Sequence, residues 1–110
     1  MPKVYVTQAT PHDLAVASNY GELVVVLKQA KDQTFAPQPV LRFLKQELKD
    51  FTDDDYLLLV GDPIAMALAV NTAAEANNGR VKLLKWSKKH NCYYPVEVDL
   101  YDRPPTHNID

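Results

Sequence analysis

The sequence predicts an α/β domain built on one mostly parallel sheet. Two short runs, residues 23–27 and 56–60, are apolar at nearly every position, which is typical of strands covered on both faces. A helical pattern follows each run, and the last strand-like stretch alternates apolar and polar residues. We therefore expect a single layered domain of about five strands in the order β-β-α-β-α-β-β, with a C-terminal antiparallel β-hairpin closing the sheet.

Length and composition support one ordinary globular domain. The chain has 110 residues, of which 46% are hydrophobic and 24% charged, which excludes disordered and fibrous classes. Its formal net charge of −2 excludes a protein that is basic throughout. We expect the domain to cover residues 1–101 and a flexible tail to follow over residues 102–110.

The N-terminal third is predicted to contain two strands and little regular structure between them. Residues 3–7 alternate in polarity with a period of two, which indicates the first strand. Residues 12–21 are polar and irregular, although Asp13 is placed to cap a short helical turn. Residues 28–39 are polar and contain two prolines, which predicts a loop, with Pro39 opening the next helix.

Two helices are predicted, and they differ in character. Over residues 40–51 apolar side chains recur every three or four positions and charged side chains fill the other side, as in a helix lying on a sheet. Residues 64–76 are apolar nearly all round and include six alanines. Residues 77–79, Asn-Asn-Gly, supply the left-handed backbone conformation that ends a helix.

The remaining strands are predicted over residues 56–60, 81–86 and 93–101, with a polar turn at residues 87–92. In the last strand apolar and polar residues alternate, so one face is expected to meet solvent. Pro95 cannot donate a ladder hydrogen bond, which favours an edge position for this strand.

The apolar helix over residues 64–76 suggests self-association. A helix that is apolar nearly all round must be covered on more than one side, and a second subunit is one candidate for that cover. We therefore expect a non-enzymatic protein that self-associates, with a dimer favoured, and that binds another macromolecule, for example a host protein. The residues expected at the contact between subunits are Ile64, Met66, Ala67, Val70 and Ala74.

A basic and aromatic segment supports an alternative function, nucleic-acid binding. No acidic residue occurs between Glu75 and Glu97, whereas basic and aromatic residues alternate along this stretch. Phosphate contacts and base stacking use this combination, although edge-strand lysines beside partly buried aromatic residues are the plainer interpretation. The candidate residues are Arg80, Lys82, Lys85, Trp86, Lys88, Lys89, Tyr93 and Tyr94.

The carboxyl ends of the strands support a second alternative, the binding of a nucleotide or another small ligand. Ligands of open α/β sheets bind at these ends, which here carry Lys28, Gly61 and Asp62. Asp62 followed by Pro63 is also the normal start of a helix, because the carboxylate caps the first turn. Pro63 removes one backbone donor and Asp62 adds a negative charge, so phosphate binding is disfavoured there.

No other motif indicates chemistry. The sequence contains no triad, phosphate-loop or zinc-site spacing, so we expect no catalytic residue, metal site or cofactor. The acidic run Asp53, Asp54 and Asp55 is expected to be a solvated loop. The single Cys92 excludes an internal disulfide and favours a reducing compartment. No apolar run is long enough to span a membrane, so we expect a cytoplasmic protein.

Four blocks of the chain resemble a known group of proteins. They are residues 55–63 (Asp-Tyr-Leu-Leu-Leu-Val-Gly-Asp-Pro), the alanine-rich helix, residues 79–86 and residues 94–100. Together they look like short uncharacterised proteins encoded by tailed bacteriophages. The resemblance implies a viral protein of the host cytoplasm, with no activity or site residues attached to it.

Overall fold

The structure, a computed structural model, describes residues 1–28 and 36–104. Within these two ranges the elements are, in chain order, β1 (Lys3–Gln8), a 3₁₀ helix (Ala15–Tyr20), β2 (Glu22–Leu27), α1 (Pro37–Glu47), β3 (Tyr56–Leu58), α2 (Pro63–Ala76), β4 (Arg80–Ser87) and β5 (Cys92–Asp99). The strands form one sheet in the order β2-β1-β3-β4-β5. β2, β1, β3 and β4 are parallel and β5 is antiparallel to β4, which confirms the predicted α/β class and its closing hairpin.

The strand order reverses direction once, between β1 and β3. The chain steps from β1 outward to β2, returns past β1 to β3 and then continues to β4. Because crossovers in a parallel sheet are right-handed, a step in the opposite direction places its connection on the opposite face. The 3₁₀ helix packs with one set of core residues and both α-helices pack with the other, as this rule requires.

The core on the α-helical face is built from large side chains of α1 and small side chains of α2. Leu44 of α1 and the nearby Leu48 are fully buried. Ala65, Ala69 and Ala73 of α2 are also fully buried, and their small size lets the helix approach the sheet closely. The alanine-rich composition of α2 is therefore explained within one chain, because the sheet covers one side of the helix and α1 packs against it as well.

The opposite face of the sheet has a smaller cover. Val4, Val6 and Leu58 pack there against Ala17 of the 3₁₀ helix, and all four are buried. The 3₁₀ helix is linked to the β4–β5 hairpin by a hydrogen bond of 2.8 Å, which the Tyr20 hydroxyl donates to the carbonyl oxygen of Tyr93. The short helical turn predicted near Asp13 is present, and the Asp13 carboxylate accepts a hydrogen bond from the Ala15 amide at 2.9 Å.

Helix α1 begins and ends earlier than the sequence predicts. It starts at Pro37, within the predicted loop, because a proline fits the first turn, where amides have no intrahelical partner. It ends at Glu47, with the Leu48 amide bonded to the Leu44 carbonyl. Phe51 lies beyond the helix yet is only 2% exposed. It fits the apolar spacing of the helix because its side chain is buried in the core, and not because it is helical. Residues 29–35 of the predicted loop lie outside the described residues.

Strand β3 is shorter than predicted because a side chain replaces part of its ladder. The strand ends at Leu58. Beyond it, the Val60 amide donates to the hydroxyl oxygen of Thr7 at 2.8 Å, and that hydroxyl donates to the Val60 carbonyl oxygen at 2.6 Å. Thr7 is fully buried, so this exchange of hydrogen bonds fixes the exit of β3 against β1.

The acidic run is not a uniformly solvated loop, and the expectation for Asp55 is wrong. Asp55 is 5% exposed, and its carboxylate accepts hydrogen bonds from the Lys3 amide at 3.0 Å and the Thr52 amide at 2.9 Å. A buried carboxylate requires such donors. Asp55 therefore ties the start of β3 to the start of β1, whereas Asp53 and Asp54 are exposed.

The C-terminal bound of α2 agrees with the prediction, whereas that of β5 comes two residues earlier than expected. Helix α2 ends before Asn78 and Gly79, whose φ angles of 57° and 89° confirm the expected left-handed stop. Strand β5 ends at Asp99, and Arg103 then bonds to the Asp99 carboxylate at 2.9 Å and to the Asn78 carbonyl at 2.7 Å. Residues 105–110 of the expected tail lie outside the described residues.

Candidate functional site

The β4–β5 hairpin extends past the rest of the sheet. Both of its strands have eight residues, whereas β3 has three and pairs with β4 at Leu57 and Leu83. Strand β3 ends at Leu58, one residue after this pair. Residues 85–94 of the hairpin therefore continue beyond the ladder between β3 and β4. We call residues 85–94 the outer arm. It projects at the carboxyl edge of the parallel strands, since β4 runs parallel to β3.

Aromatic side chains lie on both faces of the outer arm. Trp86 and Tyr93 are directly opposite in the ladder, and their rings meet edge to face with centroids 4.9 Å apart. Tyr94 pairs with Lys85 and therefore projects from the other face. Trp86 is 39% exposed and Tyr94 41% exposed, so both offer ring surface to solvent.

The charge of the outer arm is entirely positive. Lys85, Lys88, Lys89 and His90 are all exposed. The turn that presents them is held by the His90 amide, which donates to the Ser87 hydroxyl at 3.2 Å, and by a left-handed residue, Asn91, with φ of 53°. No aspartate or glutamate occurs in this stretch of sequence.

The two remaining basic residues of the predicted segment lie apart from the outer arm. Arg80 forms a 3.2 Å ion pair with Asp53. Hydrogen bonds from Asn77 and then from Arg80 lower the pKa of the Asp53 carboxyl, which keeps it ionised. The Lys82 amine lies 4.3 Å from the centre of the Tyr56 ring, and Glu97 is its cross-strand neighbour. The structure thus separates the eight predicted residues into a balanced inner pair and the basic outer arm.

A cleft opens at the carboxyl ends of β1 and β3, where the strand order reverses. Its volume is about 620 Å³, and its lining includes polar groups of both strand ends together with apolar side chains of α2 and the preceding loop. Ligands of open α/β sheets bind in this position. We call it the strand-end cleft; it is lined by Gln8, Ala9, Thr10, Pro11, His12, Leu59, Val60, Gly61, Asp62, Pro63 and Met66.

Asp62 caps helix α2, as the sequence suggests. Its carboxylate accepts a 3.0 Å hydrogen bond from the Ile64 amide, and Pro63 occupies the first helical position. Its own amide donates at 2.8 Å to the side-chain oxygen of Gln8, which is 1% exposed. Of the three predicted ligand residues, Gly61 and Asp62 line the strand-end cleft, whereas Lys28 is exposed at the end of β2 and lies outside its lining.

Sequence reasoning missed the contribution of β1 to this cleft. Gln8, Thr10 and His12 line it because β1 neighbours β3, and the strand order cannot be read from the sequence. The only signal in the sequence is indirect: a polar Thr-Gln pair ends an otherwise apolar strand.

Of the five residues predicted for self-association, four are at least partly exposed on α2 and one is buried. Ile64 is 51% exposed, and Ala67, one turn further along α2, is exposed as well. Met66 and Val70 are half-buried on the flanks of the helix. Ala74 is only 4% exposed and belongs to the core of its own chain, so it contributes nothing to an outer surface.

Two kinds of feature are absent from the described residues. Within residues 1–28 and 36–104, no group of three or more histidine, cysteine, aspartate or glutamate side chains could hold a metal ion. In the same part of the chain, no helix has the length and apolar character needed to cross a membrane.

Comparison with known proteins identifies a family. The model of the family described as Phage Pam3 gp32-like protein matches residues 2–100, nearly the whole chain. No curated protein matched the chain, and no solved structure did. The resemblance to phage-encoded proteins predicted from four sequence blocks is therefore confirmed and now covers both halves of the fold. The chain belongs to the Phage Pam3 gp32-like protein family.

Proposed function

We propose that this phage-encoded protein binds single-stranded nucleic acid through the outer arm. The single observation that carries the proposal is the composition of that arm: three lysines, a histidine and two exposed aromatic rings, with no carboxylate among them. Lysines contact backbone phosphates, and aromatic rings stack on bases. The partner that fits the arm is a polyanionic single strand whose bases have accessible faces.

The arrangement of the aromatic side chains favours a single strand over a duplex. In a duplex the bases stack on each other, so their faces are closed to a flat side chain, whereas a single strand can place them on Trp86 or Tyr94. The arm is a two-stranded ribbon whose lysines lie at its tip and along one side. The carboxylates Asp53, Glu97 and Asp99 lie toward the opposite end of the hairpin, beside Arg80 and Lys82.

The test is a charge reversal at the tip, compared with the same reversal elsewhere. Lys88→Glu together with Lys89→Glu should weaken binding of a labelled single-stranded oligonucleotide about tenfold in anisotropy titrations at low salt, since each exposed ion pair contributes up to about 1 kcal/mol. Both side chains are exposed, so folding should be unaffected.

The matched control is Lys45→Glu together with Lys49→Glu. These two lysines lie in or just after α1, are exposed and give the same change in net charge. The control should retain wild-type affinity. Equal loss in both double variants would show that only net charge matters, and no loss in either would remove the outer arm from the binding site.

Self-association is the second candidate, and one observation supports it. The solvent side of the first two turns of α2 carries Ile64 and Ala67, with the half-buried Met66 and Val70 beside them, and no charged residue occurs in α2 before Glu75. A second copy of the chain packed on this strip would remove its apolar surface from water. We name this strip, residues 64, 66, 67 and 70, the α2 strip.

A further inference from the structure

We infer that the strand-end cleft binds a small hydroxyl-bearing molecule of nucleoside size that carries no phosphate group. The cleft has a volume of about 620 Å³, which is within the range of small-molecule sites. It lies at the reversal of strand order, where an open α/β sheet leaves space between diverging connections. The site is separate from the outer arm and uses none of its residues.

The floor of the cleft is fixed by backbone and side-chain packing. The Gln8 side chain holds the Asp62 amide at 2.8 Å, and Thr7 holds the preceding Val60 at both its amide and its carbonyl. Gly61 lies between them with φ of 97°, and a Cβ at this position would collide with the Gln8 side chain. A floor held in this way is already formed before a ligand arrives, which reduces the entropy cost of binding.

The groups around the floor select against phosphate. A phosphate at a helix N-terminus needs free amides and a positive end of the helix dipole. Pro63 has no amide hydrogen, the Ile64 amide already donates to Asp62, and the Asp62 carboxylate places a negative charge at the helix start. Lys28, at the end of the neighbouring strand β2, is not part of the lining.

The same groups suit hydroxyl-bearing ligands with an apolar ring. Thr10, His12 and Asp62 can accept hydrogen bonds from hydroxyl groups. Pro11, Pro63 and Met66 supply apolar walls for a ring. A nucleoside combines these two kinds of surface, and its 5′-monophosphate adds about two negative charges at neutral pH.

The experiment compares the four ribonucleosides with their 5′-monophosphates by titration in amide NMR spectra. It uses the Lys88→Glu, Lys89→Glu protein, so that binding of the monophosphates to the outer arm does not interfere. At least one nucleoside should shift the amides of Gly61, Asp62 and Met66, and its monophosphate should bind about tenfold more weakly or worse.

The variant Asp62→Asn tests the origin of this selectivity. Asparagine caps helices as well as aspartate does, so the fold should persist while the negative charge is lost. The monophosphate should then approach the affinity of the nucleoside. The inference is overturned if no nucleoside shifts the cleft amides at millimolar concentration, if a monophosphate binds as tightly as its nucleoside to the unsubstituted cleft, or if Asp62→Asn leaves the difference unchanged.

Discussion

Thr7 illustrates how one side chain determines the end of a strand. Its hydroxyl accepts a hydrogen bond from the Val60 amide and donates one to the Val60 carbonyl oxygen, which are the two bonds that a ladder residue would otherwise make. The sequence predicts Thr7 as the last residue of the first strand and Val60 as the last of the third. It does not predict their contact, because a polarity pattern contains no information about which strands are neighbours.

Replacing Thr7 by valine should therefore destabilise the protein, although the two side chains have nearly the same size and shape. Valine fills nearly the same volume but cannot accept the hydrogen bond from the Val60 amide or donate one to the Val60 carbonyl oxygen. The expected decrease in the free energy of unfolding is about 1–3 kcal/mol. Urea denaturation measures it. Thr7→Ser is the control, since it keeps the hydroxyl, and its loss should be the smaller of the two. A greater loss for serine would show that packing of the methyl group dominates.

The acidic run shows a second limit at the residue scale. Three consecutive aspartates suggest one solvated loop. In the structure, Asp53 forms an ion pair with Arg80 and Asp54 is exposed. Asp55 is buried, and its carboxylate accepts a hydrogen bond from the Lys3 amide. The burial of Asp55 depends on its position beside β1. Its neighbours in sequence share its charge but not its surroundings, so composition alone could not separate the three.

At the scale of elements, the sequence predicts the existence of every strand and both α-helices, and errors are confined to their ends. Helix α1 starts at Pro37 because proline is tolerated throughout a first turn, which makes either Pro37 or Pro39 a plausible opening residue. The sequence predicts the hairpin and its turn, but the extension of the hairpin past β3 depends on the short length of β3. The projection of the outer arm therefore depends on the neighbouring strand of the sheet and cannot be predicted from residues 85–94 alone.

Helix α2 shows that an apolar helix does not by itself require a partner. Four of its six alanines are buried within the chain, and its exposed apolar surface includes the α2 strip. If two copies associate there, light scattering should give a mass that rises toward a dimer with concentration. Ile64→Lys together with Ala67→Lys should abolish the rise, because each subunit would bring two desolvated charges to the contact.

The control for this prediction is Gln46→Lys on α1, an exposed position that is not part of the α2 strip. It adds positive charge without touching Ile64 or Ala67 and should leave association unchanged. A monomeric mass for the unsubstituted protein up to about millimolar concentration would contradict self-association.

At the scale of the whole molecule, the fold places two separate candidate sites at one edge of the sheet. The strand-end cleft lies between β1 and β3, and the outer arm projects from β4 and β5 at the same carboxyl edge. The sequence predicts Gly61 and Asp62 of the cleft and the basic and aromatic residues of the arm, but it predicts neither the contribution of β1 to the cleft nor the extension of the arm past β3. The net charge of −2 conceals an uneven distribution, because the basic residues of the arm lie apart from the carboxylates at the opposite end of the hairpin.

The proposal of nucleic-acid binding is tested most directly by the fluorescence of Trp86, the single tryptophan of the chain, which lies in the outer arm. A single-stranded oligonucleotide should quench this fluorescence at low salt. The logarithm of the binding constant should fall with the logarithm of salt concentration with a slope of about −2, as expected for three lysine–phosphate contacts at about 0.7 each. A duplex of equal length should quench less. Unchanged fluorescence at low salt, or binding that does not depend on salt, would contradict the proposal.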